Sequence, residues 1–258
     1  MNTMYAEERQ NAIAGLIGQR GRVSVADLAD TFGVTTETVR RDLASLDRMG
    51  VVRRVHGGAV PATSVTSVEP GMAEREHTRT REKDRIAAAA VAFLPPAGGS
   101  IALDAGTTTG RLAALIPVDS DLTVVTNSLP IATRLAAVPS LDLHLLGGRV
   151  RGVTQATVGE DTLRVLGTVR VDVAFMGTNA ISVAHGLSTP DTDEAAVKRA
   201  MVGSADRVVV VTDSAKIGLQ FFMSFAALDC VDVLVTDDGI TDTDCTRLQQ
   251  HGLEVVVA

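Results

Sequence analysis

The chain has 258 residues and an apolar content ordinary for a soluble globular protein, which suffices for one large domain or for a small one plus a medium one. No apolar run approaches the roughly 20 residues of a membrane helix, Glu7, Glu8 and Arg9 stand where a signal peptide needs apolar residues, and Cys230 and Cys245 fit neither a zinc spacing nor a disulfide framework. The net charge of −7 is unevenly divided: residues 1–61 carry +1 and the remainder −8, so nucleic acid is not excluded, although one Tyr and no Trp disfavour base stacking on single strands.

These limits predict a cytoplasmic protein with no membrane partner, no metal and no cofactor. In chain order, Met4–Gln19 reads as a helix with Ile13, Leu16 and Ile17 inward, ended by Gly21. Ser24 is a good N-cap, and Asp27 three residues on makes a near capping box. The helix it opens buries Val25, Leu28, Ala29 and Phe32. Gly33 allows a tight turn, Val34 packs in, and Thr35 caps the next helix. That helix aligns Val39, Leu43 and Leu46 on one stripe and leaves Thr36, Glu37, Thr38, Arg40 and Arg41 at its exposed N-terminal half. Gly50 ends it. Val51–Arg54 and Gly57–Val60, joined by His56-Gly57-Gly58, then read as a two-stranded wing.

This is the pattern of a winged helix-turn-helix. The second helix enters the major groove N-terminus first, so Thr36, Thr38, Arg40 and Arg41 reach base edges or phosphates. Arg53, Arg54 and His56 in the wing hold phosphate or the minor groove. The stretch 40–54 has a local charge of +3. Taken singly, the arginines fit equally a helical module that faces water, and helix-turn-helix shape also serves protein interaction.

The boundaries predicted are a DNA-binding domain at 1–61, a linker at 62–73 that is small, polar and punctuated by Pro70 and Gly71, and an α/β domain at 74–258. A charged helix is expected over Glu74–Leu94, stopped by Pro95 and Pro96. Apolar runs then recur at Ile101–Leu103, Leu122–Val125, Leu141–Leu146, Val171–Phe175, Val208–Val211, Val231–Val235 and Leu253–Val257. Helical stretches lie between most of them, including Thr109–Ile116, Ser128–Ala137, Asp191–Ala205 and Asp242–His251. The fold class expected is α/β, a small winged helix-turn-helix followed by a mostly parallel sheet covered on both faces.

Four strand ends carry polar residues suited to an anion. Asp104-Ala105-Gly106-Thr107-Thr108-Thr109 offers hydroxyls, backbone N–H groups and a helix start, although a plain capped helix has the same residues. It is neither a Walker loop nor a dinucleotide fingerprint. Thr126-Asn127-Ser128, Gly147-Gly148-Arg149 and Asp213-Ser214-Ala215-Lys216 follow three further strands. Glu194 and Lys198 stand at i, i+4 and can pair, most simply as a surface salt bridge.

The run VSVADLADTFGVTTETVRRDLASLDRMGVVRRVHGGAV closely resembles the DNA-binding domain of the DeoR family of bacterial regulators, above all in TVRRDL (Thr38–Leu43) and RVHGGA (Arg54–Ala59). The resemblance extends over nearly the whole chain. HGLSTPDTDEAAVKRAM (His185–Met201) is similar to the family's sensor segment. It implies Asp104 and Glu194 near sugar hydroxyls, and Lys198 and Lys216 near the anion. His185 reads as a turn or core residue. The resemblance also implies a repressor of sugar genes, acting on duplex DNA and released by a phosphorylated sugar, with fructose 1-phosphate favoured and glycolytic, amino-sugar and polyol phosphates open. A DNA-binding domain this small binds weakly alone, so a homodimer or homotetramer is expected.

The family's sensor domain is similar in fold to ribose-5-phosphate isomerase and glucosamine-6-phosphate deaminase, so an enzyme is the competing reading. Such isomerases resemble this chain in the Gly-Thr-Thr loop and in the terminal Asp-x-x-Lys, here Asp213 and Lys216. Where they carry an acid-rich run, this chain has Met176-Gly177-Thr178-Asn179-Ala180, and their basic glutamate falls at or beside Lys198. Proton shuttling needs a carboxylate within reach, so a binder without a catalytic base is expected.

Overall fold

The computed structural model describes residues 5–20, 23–49, 51–55, 57–61, 69 and 71–258. They fall into two compact units, Met1–Val65 and Thr66–Ala258. The expectations placed on Met4, Gly21, Gly50 and His56, on the side chain of Arg53, and on the linker at 62–68 and Pro70 lie outside the described residues.

In the first unit, α1 (Ala6–Arg20) is followed by β1 (Val23–Ser24), α2 (Val25–Phe32), α3 (Thr36–Arg48), β2 (Val52–Val55) and β3 (Gly58–Pro61). The Ser24 hydroxyl accepts the Asp27 amide at 3.0 Å and donates to its carboxylate at 2.7 Å, which fixes the start of α2. Gly33 ends α2 in the left-handed region at φ 62°, and Thr35 caps α3 through the Thr38 amide. Ile13, Ile17, Leu28, Val39, Leu43 and Leu46 form the core. One strand was not expected: β1 pairs antiparallel with β3, widening the wing to three strands. Asp42, next to the exposed Arg41, points inward and receives the Arg9 guanidinium at 2.6 Å and the Gln10 amide at 3.0 Å, tying α3 to α1.

The second unit begins with α4 (Met72–His77) and α5 (Thr80–Ala90), followed by a turn of 3-10 helix over Val91–Phe93. The continuous helix expected over Glu74–Leu94 is therefore broken at Thr78 and Arg79, where Arg79 has φ 52°. The buried Lys83 ammonium turns back to the carbonyls of Arg75 and Thr78 and satisfies the C-terminal end of α4.

There follow β4 (Ser100–Leu103), α6 (Thr107–Ala113), β5 (Thr123–Thr126), α7 (Leu129–Leu135), β6 (Asp142–Leu145), β7 (Arg149–Arg151), β8 (Ala156–Val158), α8 (Glu160–Leu166), β9 (Val171–Met176), β10 (Ala180–Ser182), β11 (Gly186–Thr189), α9 (Thr192–Gly203), β12 (Ala205–Val211), β13 (Met223–Ala226), β14 (Val233–Thr236), α10 (Asp242–Gln249) and β15 (Glu254–Val257). All seven expected apolar runs join one parallel sheet in the order β15-β14-β12-β9-β4-β5-β6. Strand residues alternate between two cores. Ile101, Leu103, Val173, Phe175, Val209 and Val211 pack with Ile86, Leu112 and Ile131 of α5, α6 and α7. Ala102, Ala174, Met176, Val208, Val210 and Leu234 pack on the other face with Leu166, Met201 and Leu248 of α8, α9 and α10. The chain leaves β4 toward β6 and returns to β9 on the opposite side, so the topological switch lies between β4 and β9, where α/β sheets bind ligands. The antiparallel pieces β7–β8 and β10–β11–β13, together with α8, were not anticipated.

Candidate functional site

On the first unit, α3 presents Thr36, Arg40 and Arg41 outward; the Arg40 and Arg41 side chains are 58% and 80% exposed. Their one near partner in common is Glu37, at 3.8 and 3.5 Å, and such exposed pairs are worth well under about 1 kcal/mol, so both guanidiniums are available to phosphate. Thr38 is partly committed: it is half-buried and its hydroxyl lies 2.9 Å from that of Thr35. Arg54 is exposed in the wing, with its amide donating to Asp47 at 3.2 Å.

On the second unit, Asp104 ends β4 at the switch point, and its side chain is 1% exposed. Its Oδ2 accepts from Lys198 Nζ and from the Gly177 amide at 2.9 Å, while Oδ1 has no hydrogen-bond partner among the described residues. Burial pushes the Asp104 carboxyl above the usual range, against the opposing pull of Lys198. Lys198 also donates to the Gly177 carbonyl at 3.1 Å. Lys216, from the β12 end, donates to the Thr178 carbonyl at 2.9 Å and lies 3.8 Å from Asp213. Burial lowers the Lys216 ammonium to about 8; Asp213 opposes this, and Arg75, Lys83 and Lys198 add to it. The run Met176–Ala180 thus acts through main-chain atoms that position both lysines.

The i, i+4 pair expected between Glu194 and Lys198 is not made. Both are buried in α9 and turn to different partners: Lys198 to Asp104, Glu194 to the hydroxyl of Thr154, to Arg151 at 3.3 Å and to Thr189 at 3.4 Å. Sequence spacing gives the helical face and leaves open what the sheet ends bring to meet it.

Three further expectations change. Arg149 is 62% exposed and pairs with Asp193, and Gly148 (φ 141°) is needed because a Cβ would strike the Thr162 hydroxyl and the Val158 carbonyl; neither is brought to the centre. Asn127 is buried but fully engaged with main chain, accepting from the Ala105 amide at 3.1 Å and donating to the Thr157 carbonyl at 3.3 Å. It braces the Asp104–Gly106 loop. Gly106 is extended at φ 178°, and a Cβ there would lie 3.0 Å from the Thr109 hydroxyl, which itself caps the Gly106 carbonyl. Thr107 and Thr108 are buried at the start of α6. His185 lies between β10 and β11 with Nε2 3.0 Å from the Phe221 carbonyl, a structural contact.

The charged groups that surround the centre were not singled out from the sequence. Arg151, rather than Arg149, reaches inward, to Glu194, to Asp191 at 3.1 Å and to Glu69 at 2.7 Å. Arg79 spans Asp213 at 3.4 Å and Asp237 at 3.2 Å. Arg75 lies 3.6 Å from Glu69. Arg111 is tied to Glu76 at 2.7 Å and to Asp84 at 2.8 Å, holding α4 and α5 to α6. Only the dense charge run at 74–85 signals any of them.

The DeoR-like helix-turn-helix domain matches residues 9–65, and the DeoR C terminal sensor domain matches residues 78–238. The chain belongs to the DeoR family. It is 34% identical over 251 residues to a putative aga operon transcriptional repressor of Escherichia coli O157:H7, covering 97% of this chain and 93% of that one. It is 37% identical over 253 residues to the HTH-type transcriptional regulator GlpR of Haloferax volcanii, covering 98% of each. Among solved structures, ribose 5-phosphate isomerase A of Methanocaldococcus jannaschii is 15% identical, with a TM-score of 0.38 over 54% of this chain and 55% of that one. As a DeoR-family member the chain is a DNA-binding transcriptional regulator, and its full-length relatives are named for regulation rather than for catalysis.

Proposed function

We propose that this DeoR-family chain represses a sugar uptake or catabolism operon and is released by a phosphorylated sugar held at the β4, β9 and β12 ends. The observation that carries the reading is the constellation of buried Lys198 and Asp104 with half-buried Lys216, two ammonium groups beside a carboxyl with one oxygen unpartnered among the described residues. A buried polar atom without a partner is costly, and a sugar hydroxyl on Asp104 Oδ1 supplies one. Lys198 and Lys216 supply charge for a phosphorylated ligand, and Gly106, Thr107 and Thr108 line the loop beside them. Glu194 and Asp213 set the arrangement of Arg151, Arg79 and Lys216. Arg40, Arg41, Thr36 and Thr38 read the operator, and Arg53, Arg54 and His56 grip its backbone. Paired half-sites require at least a homodimer.

Release follows when the ligand prefers the form that grips DNA poorly; a coupling of about 1–3 kcal/mol changes affinity about 5- to 150-fold. The test is a gel shift on the promoter region adjoining the gene, titrated with fructose 1-phosphate, other hexose, amino-sugar and polyol phosphates, and their unphosphorylated parents. One phosphorylated compound is expected to release the DNA and its parent is not. Arg41→Ala is expected to abolish the shift while leaving ligand binding intact. Retention of DNA under every compound removes the sensing role.

A further inference from the structure

The residue that closes the centre comes from the segment that follows the wing strand in sequence. Glu69 has a side-chain exposure of only 6% and faces two arginines, one of which, Arg151, also holds Asp191 and Glu194. Its Oε1 accepts from Asn179 Nδ2 at 3.1 Å and lies 3.6 Å from Arg75; its Oε2 lies 2.7 Å from Arg151. Two guanidinium forks and an amide N–H converge on Glu69, with Arg151 shared among Glu69, Asp191 and Glu194, and their geometry suits the oxygens of a phosphate monoester. The cluster is joined to the centre on both sides. Asn179 follows Thr178, whose carbonyl holds Lys216, and Arg151 is shared with Glu194, one turn before Lys198.

We propose that Arg75, Arg151 and Asn179 form the seat for the effector's phosphate, and that Glu69 occupies this seat as an internal competitor which the phosphate displaces. The inference rests on the sensing role above and assigns to it a phosphate position and a means of signalling. A phosphate monoester brings three acceptor oxygens to Arg75, Arg151 and Asn179 where Glu69 brings two, and it enters with Asp191 and Glu194 still on Arg151. Glu69 precedes Met72, whose amide donates to the Val153 carbonyl at 3.1 Å at the start of α4. Expelling the Glu69 carboxylate therefore loosens the described segment that runs from Glu69 into α4. A purely structural role for Glu69 predicts the opposite, that the segment stays pinned whatever binds.

The test uses the full chain and two probes, fructose 1-phosphate and inorganic phosphate, with calorimetry and hydrogen exchange over residues 69–76. In the native protein, saturation with either probe is expected to raise exchange over 69–76. Glu69→Gln removes the competing charge and is expected to bind inorganic phosphate about tenfold more tightly. It is also expected to show raised exchange before any anion is added. Equal affinities in the two proteins, with exchange unchanged at saturation, overturn the proposal, and so does failure of Glu69→Gln to bind either probe. Tighter inorganic phosphate in Glu69→Gln with no fructose 1-phosphate binding keeps the seat and removes that sugar. Equal fructose 1-phosphate binding with a pinned segment does the reverse. Should Glu69→Gln fail to fold, Glu69→Asp, which keeps the charge but shortens its reach, is expected to bind phosphate more tightly than the native protein; an unchanged affinity there also overturns the proposal.

Discussion

Lys216 carries a pH dependence whose sign is fixed by its surroundings. Burial holds its ammonium at about 8, below the ordinary 10.5. Between those values the folded chain binds fewer protons at this group than the unfolded chain, so its contribution to stability rises with pH. Ligand affinity runs the other way, because only the charged lysine attracts an anion. Binding of a sugar phosphate is expected to weaken up to about tenfold from pH 7 to pH 9, and Lys216→Met is expected to flatten that profile in calorimetric titrations. At Asp104 the prediction concerns stability. Asp104→Ala strands the buried Lys198 charge with the Gly177 carbonyl as its remaining hydrogen-bond partner, an expected loss of about 3–5 kcal/mol. The double change Asp104→Leu, Lys198→Met removes the charge as well and is expected to be much milder in urea denaturation. Equal losses in the single and double variants would contradict a buried ion pair.

At the scale of elements, the turn between α2 and α3 depends on one backbone conformation. Gly33 sits at φ 62° with open space where a Cβ would project, so Gly33→Ala meets no clash and loses only conformational energy, about 1–2 kcal/mol. A thermal shift much larger than that implies refers to contacts absent from this structure. The caps and stripes of this unit were legible because they are local: Ser24, Gly33, Thr35 and the Val39–Leu43–Leu46 row each act within a few residues. The sheet was legible for a related reason, since strands buried on both faces are continuous apolar runs. What escaped was tertiary. The break between α4 and α5 carries Arg79, whose guanidinium meets Asp213 and Asp237 from distant parts of the chain. Arg149 and Arg151 flank one valine and look alike, yet only Arg151 meets Glu69 and Glu194. The short antiparallel strands carry Ser, Thr and Gly in runs too brief to show alternation. Of the centre, the strand-end residues were readable, while the arginines around it came from α4, the turn before α5, α6 and the short strand β7, with only the charge run at 74–85 as a local signal.

Across the whole molecule, the proposed ligand site lies within the unit Thr66–Ala258. A sugar phosphate at one hundred times its dissociation constant is therefore expected to stabilise that unit by about 2.7 kcal/mol. In scanning calorimetry only the transition assigned to it should move; a shift confined to the transition of Met1–Val65 would place the ligand elsewhere. The strand order has a consequence for synthesis. β4 ends at Leu103, and its central neighbour β9 begins only at Val171. While the ribosome makes residues 104–170, the nascent chain can complete β4, β5 and β6 but keeps one ladder of β4 bare. A chain cut short in that stretch would carry a bare strand edge open to pairing with other chains, so truncation there is expected to give an aggregating fragment.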